Sequence, residues 1–140
     1  MKLAFYFPPM KTEPKPRQKP AKKVLVVDDD GDLRTVLTLL LQEAGYEAIG
    51  AEHALAAVFA AVRARPDLIL VDIRMPIMNG LELVRELKAH RDTRSIPLVA
   101  MTVQDTPEIR AAASEVGCVG FLSKPFEPNV VLDQIAEWVN

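Results

Sequence analysis

Residues 24–30 read VLVVDDD: four branched apolar side chains run straight into three carboxylates. The apolar half, with Lys23 before it, is short, β-branched and continuous, the pattern of a strand buried on both faces of a sheet. Three later runs repeat the design. DLILV leads into Asp72, PLVAM into Thr102, and CVGFL into Lys124. A weaker short strand, EAIG, lies at residues 47–50.

Between these runs the apolar period changes from strand to helix. Leu33, Val36, Leu37, Leu40, Leu41 and Ala44 fall at i, i+3, i+4, i+7, i+8 and i+11, which predicts an amphipathic helix stopped by Gly45. Leu55, Val58, Phe59 and Val62 mark a second helix ending before Pro66, and Leu81, Val84 and Leu87 a third. Pro107 and Pro128 suit the first turns of two more, bearing Ile109, Ala112, Ala113 and Val116, and then Val131, Ile135 and Trp138. Five βα units with short, right-handed connections predict an α/β fold: a doubly wound, flavodoxin-like (βα)5 domain with five parallel strands in the order 2-1-3-4-5 and helices on both faces.

Composition bounds the rest. The chain has 140 residues, enough for one domain with one substantial core. Its net charge of −2 hides an asymmetry: residues 1–23 carry +6 and the remainder −8. An acidic body argues against a nucleic-acid surface on the domain. Residues 8–23 hold five of the eleven prolines and no apolar period, so residues 1–21 read as a disordered Pro/Lys-rich tail and 22–140 as the folded domain. The single cysteine, Cys118, excludes a disulfide framework and a cysteine zinc site, and reads as a small buried hydrophobe. No stretch has the length of a membrane span, and MKLAFYF is too short for a signal-peptide core, so the expected compartment is the cytoplasm.

In an open parallel α/β sheet, functional side chains gather beyond the carboxyl ends of the strands. Here those ends carry Asp28 and Asp29, then Asp72, Thr102 and Lys124. Two carboxylates about 4 Å apart repel by roughly 4 kcal/mol at an effective dielectric near 20. A divalent cation is the obvious compensation, and an all-oxygen donor set favours Mg2+. Lys124 and the Thr102 hydroxyl would then face phosphate oxygens. The arrangement points to phosphoryl transfer, with a carboxylate as natural acceptor. Asp30 and Asp32 read instead as helix-capping residues, Asp67 as a turn residue, and His53 and His90 as surface histidines.

VLVVDDD, LILVDIRMPIMNG, VAMT and FLSKPF, in this order, closely resemble the receiver domain of two-component response regulators, of the chemotaxis-regulator type, from about residue 22 to 140. The resemblance implies that Asp72 is the phosphoacceptor. It implies that Asp29 ligates Mg2+, with Asp28 in support, and that Asp72 and the Arg74 carbonyl complete the metal site. Lys124 would pair with Asp72 and then with the phosphoryl group, across a cis Lys124–Pro125 bond. Thr102 would be the switch hydroxyl and Phe121 the switch aromatic, acting on the face formed by the fourth helix, fifth strand and fifth helix. Val103 stands where the family usually has a small residue, which would narrow access. Arg74 and Gln104 border the attacking water's route, which would slow dephosphorylation.

The expected function is a stand-alone receiver that accepts a phosphoryl group from a histidine kinase or phosphotransfer protein and signals to a protein partner. It would be no enzyme beyond its own phosphorylation and dephosphorylation, bind no nucleic acid or membrane, and be a monomer or a weak phosphorylation-dependent dimer. The alternatives are a phosphorylation-independent binding module and the receiver part of a longer regulator. An aspartyl-phosphate phosphatase would need a general-acid Asp two residues after the nucleophile, where this chain has Arg74.

Overall fold

The computed structural model describes residues 20–75 and 79–139. Five strands alternate with five helices: β1 Lys23–Val27, α1 Gly31–Glu43, β2 Glu47–Ala51, α2 Ala54–Ala64, β3 Leu68–Asp72, α3 Gly80–Ala89, β4 Leu98–Thr102, α4 Pro107–Val116, β5 Gly120–Ser123 and α5 Pro128–Trp138. The strands form one parallel sheet in the expected order, β2-β1-β3-β4-β5. The expected tail lies largely outside the described residues, as does part of the loop after Asp72.

The continuous apolar runs occupy the centre of the sheet. Every residue of β3 and β4 is buried, as are Val24–Val27 of β1. The pleat sends alternate side chains to opposite faces. Val24, Val26, Leu68, Leu70, Val99 and Met101 meet α1 and α5 through Leu37, Leu41, Val131 and Ile135. Leu25, Val27, Ile69, Val71 and Leu98 meet α2 and α3 through Ala57, Ala61, Leu83, Val84 and Leu87. Each such aliphatic side chain stabilises the fold by about 1.5–3 kcal/mol when fully buried.

Local signals set the helix boundaries. Asp30, His53, Asn79, Thr106 and Glu127 are N-caps whose side chains accept first-turn backbone N–H groups. Pro107 and Pro128 open α4 and α5 as expected. Asp30 is therefore a cap, as read, while Asp67 accepts the Lys23 N–H at 2.8 Å and ties the start of β3 to β1. The histidines are exposed, yet both also accept a backbone N–H: His53 Nδ1 from Ala56 and His90 Nδ1 from Asp92. Cys118 is half-buried, and burial pushes its thiol up to about 11, consistent with an inert packing role.

Two helix faces differ from the periodic reading. In α2, Leu55 and Phe59 are 65% and 68% exposed, and the helix meets the sheet through Ala57 and Ala61. In α1, Val36 is 62% exposed while Leu37 and Leu41 are buried. The larger apolar residues mark the helix period, but small alanines are what let α2 approach the sheet closely.

Gly80 is the point where α3 meets the Asp72 strand end. A Cβ there would lie 2.3 Å from the Asp72 carbonyl oxygen and 2.5 Å from Ile73 Cα, both backbone atoms. Gly80→Ala should therefore lower stability by about 1–3 kcal/mol, the usual scale of overpacking, read as a lower urea midpoint at unchanged m-value.

Candidate functional site

Sheet register brings the expected side chains to one edge. Val27 pairs with Val71, so Asp28 follows level with Asp72, and Thr102 pairs with Ser123, immediately before Lys124. Backbone bonds lock these ends together: Asp28 N–H donates to Ala51 O at 3.1 Å, Ile73 N–H to Met101 O at 3.1 Å, and Lys124 N–H to Thr102 O at 2.7 Å.

Asp28, Asp29 and Asp72 each offer a carboxylate oxygen within 4.8 Å of the others. Asp28 and Asp72 are buried and Asp29 is exposed. That donor chemistry, three clustered oxygens with neither imidazole nor thiolate, fits a hard divalent cation. The Lys124 ammonium donates to Asp28 Oδ2 at 2.6 Å and to Asp72 Oδ2 at 3.3 Å. Lys124 is thus held first by Asp28, whereas the resemblance assigned it to Asp72. Asp28 Oδ1 accepts the Asp30 N–H at 3.0 Å, so both its oxygens are engaged.

Burial pushes the Asp72 carboxyl above the ordinary carboxylate value, and Asp28 adds to that; the Arg74 N–H and Lys124 oppose it. Burial works against the Lys124 ammonium, but Asp28 and Asp72 outweigh it and hold Lys124 above the ordinary lysine value. Thr102 is buried, and its hydroxyl oxygen accepts the Gln104 N–H at 3.1 Å. Asp72 Oδ1 accepts the Arg74 N–H at 2.9 Å. The side chains of Arg74 and Gln104 meet, Nη2 to Oε1, joining the loop after β3 to the loop after β4. Val103 is 66% exposed. Phe121 is half-buried, packed against Ile73, Ala100 and Ala113. The Lys124–Pro125 bond is cis.

Several contacts carry no sequence signal. Arg34 reaches from α1 to donate to the Asp28 carbonyl at 2.7 Å, lying against Gly50. Arg110, Asp105 and Ser123 form a network beside Phe121. Arg34 and Asp28, like Arg110 and Asp105, are near in sequence, whereas Ser123 and Phe121 reach Asp105 and Arg110 only through the pairing of β4 with β5. Among the described residues, every buried side-chain nitrogen or oxygen has a hydrogen-bond partner.

Residues 24–136 match the family of the response regulator receiver domain, and the chain belongs to that family. Its fold is shared by the Vibrio cholerae chemotaxis protein CheY4, 34% identical with a TM-score of 0.81, covering 84% of this chain and 98% of that one. The receiver domain of the Pseudomonas aeruginosa sensor histidine kinase PA1611, solved with a magnesium ion in its active-site cleft, is 28% identical with a TM-score of 0.78, covering 85% and 98%. The phosphate regulon transcriptional regulatory protein PhoB of P. aeruginosa is 34% identical over 114 residues, covering 81% of this chain and 50% of that protein. This chain therefore spans about half the length of that relative. Receiver domains of this family are phosphoacceptor signalling modules rather than conventional enzymes. Among the described residues, no helix is long and apolar enough to cross a membrane.

The raised Asp72 carboxyl has a consequence for stability. A carboxyl that holds its proton more tightly when folded stabilises the fold below its unfolded pKa, and that contribution is lost as pH rises through the folded value. Asp72→Asn keeps the Oδ1 acceptor and removes the charge. In urea titrations without metal it should match the parent below the ordinary carboxylate range and exceed it near pH 7.

Proposed function

We propose that this chain accepts a phosphoryl group on Asp72 from a histidine kinase or histidine phosphotransfer protein, and passes the signal to a protein partner through the face of α4, β5 and α5. The observation that carries this reading is the Lys124 ammonium bridging two buried carboxylates, within a cluster of three, at the carboxyl edge of the sheet.

Asp29 and Asp72, with the Arg74 carbonyl and Asp28 in support, are the groups that would hold Mg2+. The ion, when bound, neutralises phosphoryl oxygens that three carboxylates would otherwise repel. The Asp72 oxygen forms the new O–P bond as the donor's P–N bond breaks, leaving an aspartyl-phosphate on the chain and an imidazole on the donor. Lys124, already charged and close to Asp72, transfers its hydrogen bond from the carboxylate to a phosphoryl oxygen. The Thr102 hydroxyl turns from the Gln104 N–H toward the phosphoryl group. Phe121 then moves into the space Thr102 leaves, and the output face changes by population shift.

The test is intact mass after incubation with Mg2+ and acetyl phosphate, with Asp72→Asn and Val103→Ala alongside. The expected result is one added phosphoryl group, absent without Mg2+ and absent in Asp72→Asn. Uptake by Val103→Ala alone would mean that Val103 excludes small donors; no uptake by any form, even with a histidine phosphotransfer protein, would favour a phosphorylation-independent binding module.

The side chains of Arg74 and Gln104 join the loop after β3 to the loop after β4, and we take the pair to border the route of water to the acyl phosphate. Arg74→Asn removes that cover. The aspartyl-phosphate should then decay about two- to fivefold faster, the scale of one exposed charged contact, followed as loss of the phosphorylated mass after the donor is removed.

A further inference from the structure

Asp105 lies three residues beyond Thr102, in the loop that leads into α4. Its carboxylate accepts Arg110 Nε at 2.5 Å and Arg110 Nη2 at 2.7 Å, a two-pronged pairing. It also accepts the Ser123 hydroxyl at 2.6 Å. The Arg110 guanidinium in turn sits over the ring of Phe121, 4.7 Å from its centroid. Phe121 and Ser123 are two apart on β5 and so share one side of the strand. One carboxylate, carried by the loop after Thr102, thus grips β5 twice: directly at Ser123, and through Arg110 at Phe121.

The ring packs on Ile73, Ala100 and Ala113 but is not enclosed. Cavities of about 200 Å3 and 280 Å3 lie beside it, the first reaching Cys118 and Val119, the second Pro125 and Val130, and both are bounded by Arg110 and Phe121. The guanidinium lies over the ring itself. An exposed ion pair by itself contributes little, but this one is bidentate, shared with a third group, and seated on the aromatic side chain whose position is in question. Arg110 and Ser123 hold the Asp105 carboxyl below the usual carboxylate range, which favours the charged form of the anchor.

We propose that Arg110 is a positioning residue for the switch: anchored by Asp105 and seated on Phe121, it ties the position of the aromatic ring to the loop that follows Thr102. This rests on Asp72 as phosphoacceptor and Phe121 as switch aromatic. With Thr102 at rest, Asp105 and the guanidinium it anchors hold the ring where it stands; a shift of Thr102 displaces the adjoining loop and Asp105 with it and releases that hold. Without the tie, the ring reaches its inward position more readily. By linkage, a phosphoryl analogue that favours that position then binds more tightly by the same factor.

The experiment uses the full chain with 13C-labelled phenylalanine rings, the Phe121 signals being identified by Phe121→Leu. Arg110→Met keeps the side-chain length and removes the charge. Without phosphodonor, its Phe121 signals should lie part way toward those of the parent saturated with Mg2+ and beryllofluoride. Its beryllofluoride affinity should rise about two- to fivefold, the scale of one exposed cation–π contact. Arg110→Lys should fall between parent and Arg110→Met. Asp105→Asn should shift the ring in the same direction, and the double variant should exceed neither single change. Parental Phe121 signals and parental affinity in Arg110→Met would overturn the proposal. No phosphorylation of the parent or of Val103→Ala by acetyl phosphate or by a histidine phosphotransfer protein, and no beryllofluoride binding, would instead refute the phosphoacceptor reading; the metal-free Phe121 signals would still decide whether Arg110 holds the ring, unchanged signals overturning the tie and displaced ones supporting it.

Discussion

The Lys124 ammonium between Asp28 and Asp72 is the contact on which the rest of the structure depends. Its partners lie 96 and 52 residues away in sequence, just after β1 and at the end of β3, while the lysine follows β5. Buried charge is tolerated only when paired and hydrogen-bonded. Remove the ammonium and two buried carboxylates face each other; shift the register of any of the three strand pairs from β1 to β5 and the ammonium falls out of reach. The sheet order is therefore a requirement of the site as much as a solution to packing.

Within the cluster the three carboxylates are chemically distinct. Asp28 is buried with both oxygens engaged, one by the Asp30 N–H and one by Lys124. Asp29 is exposed. Asp72 is buried, its charge disfavoured by burial and by Asp28, with Lys124 only partly offsetting this. A cation that neutralises Asp29 and Asp72 meets the greatest local need, while Asp28 stays committed to the lysine. The same division leaves Lys124 with a shorter bond, to Asp28, and a longer one, to Asp72, and on the proposed function the longer bond is the one that would change partners.

The outer face is built on a second, more exposed electrostatic unit. Arg110 and Asp105 pair at the surface, with 54% and 35% of their side chains exposed, and they connect the β4–α4 loop to two positions of β5. The buried unit holds Asp72 and the exposed one lies over the Phe121 ring. Thr102, at the end of β4, lies between them in the chain and is buried like the first.

Much of this was legible in the residues alone. Continuous β-branched runs can be stabilised only between two layers, so VLVV, LILV and LVAM had to be central parallel strands, and the side chains following them had to share one edge. Asp28, Asp29, Asp72, Thr102 and Lys124 were found that way. Tertiary structure decided what local pattern cannot encode. Period identifies a helix but not how closely it approaches the sheet, so Leu55 and Phe59 face outward while Ala57 and Ala61 pack inward. Residue type marks His53 and His90 as surface groups but not as acceptors of backbone N–H bonds. The preference of Lys124 for Asp28, the bond from Ser123 to Asp105, and the seating of Arg110 on Phe121 all depend on side chains meeting across different elements. Such contacts are fixed by strand register and helix placement, and those exist only once the whole sheet has formed.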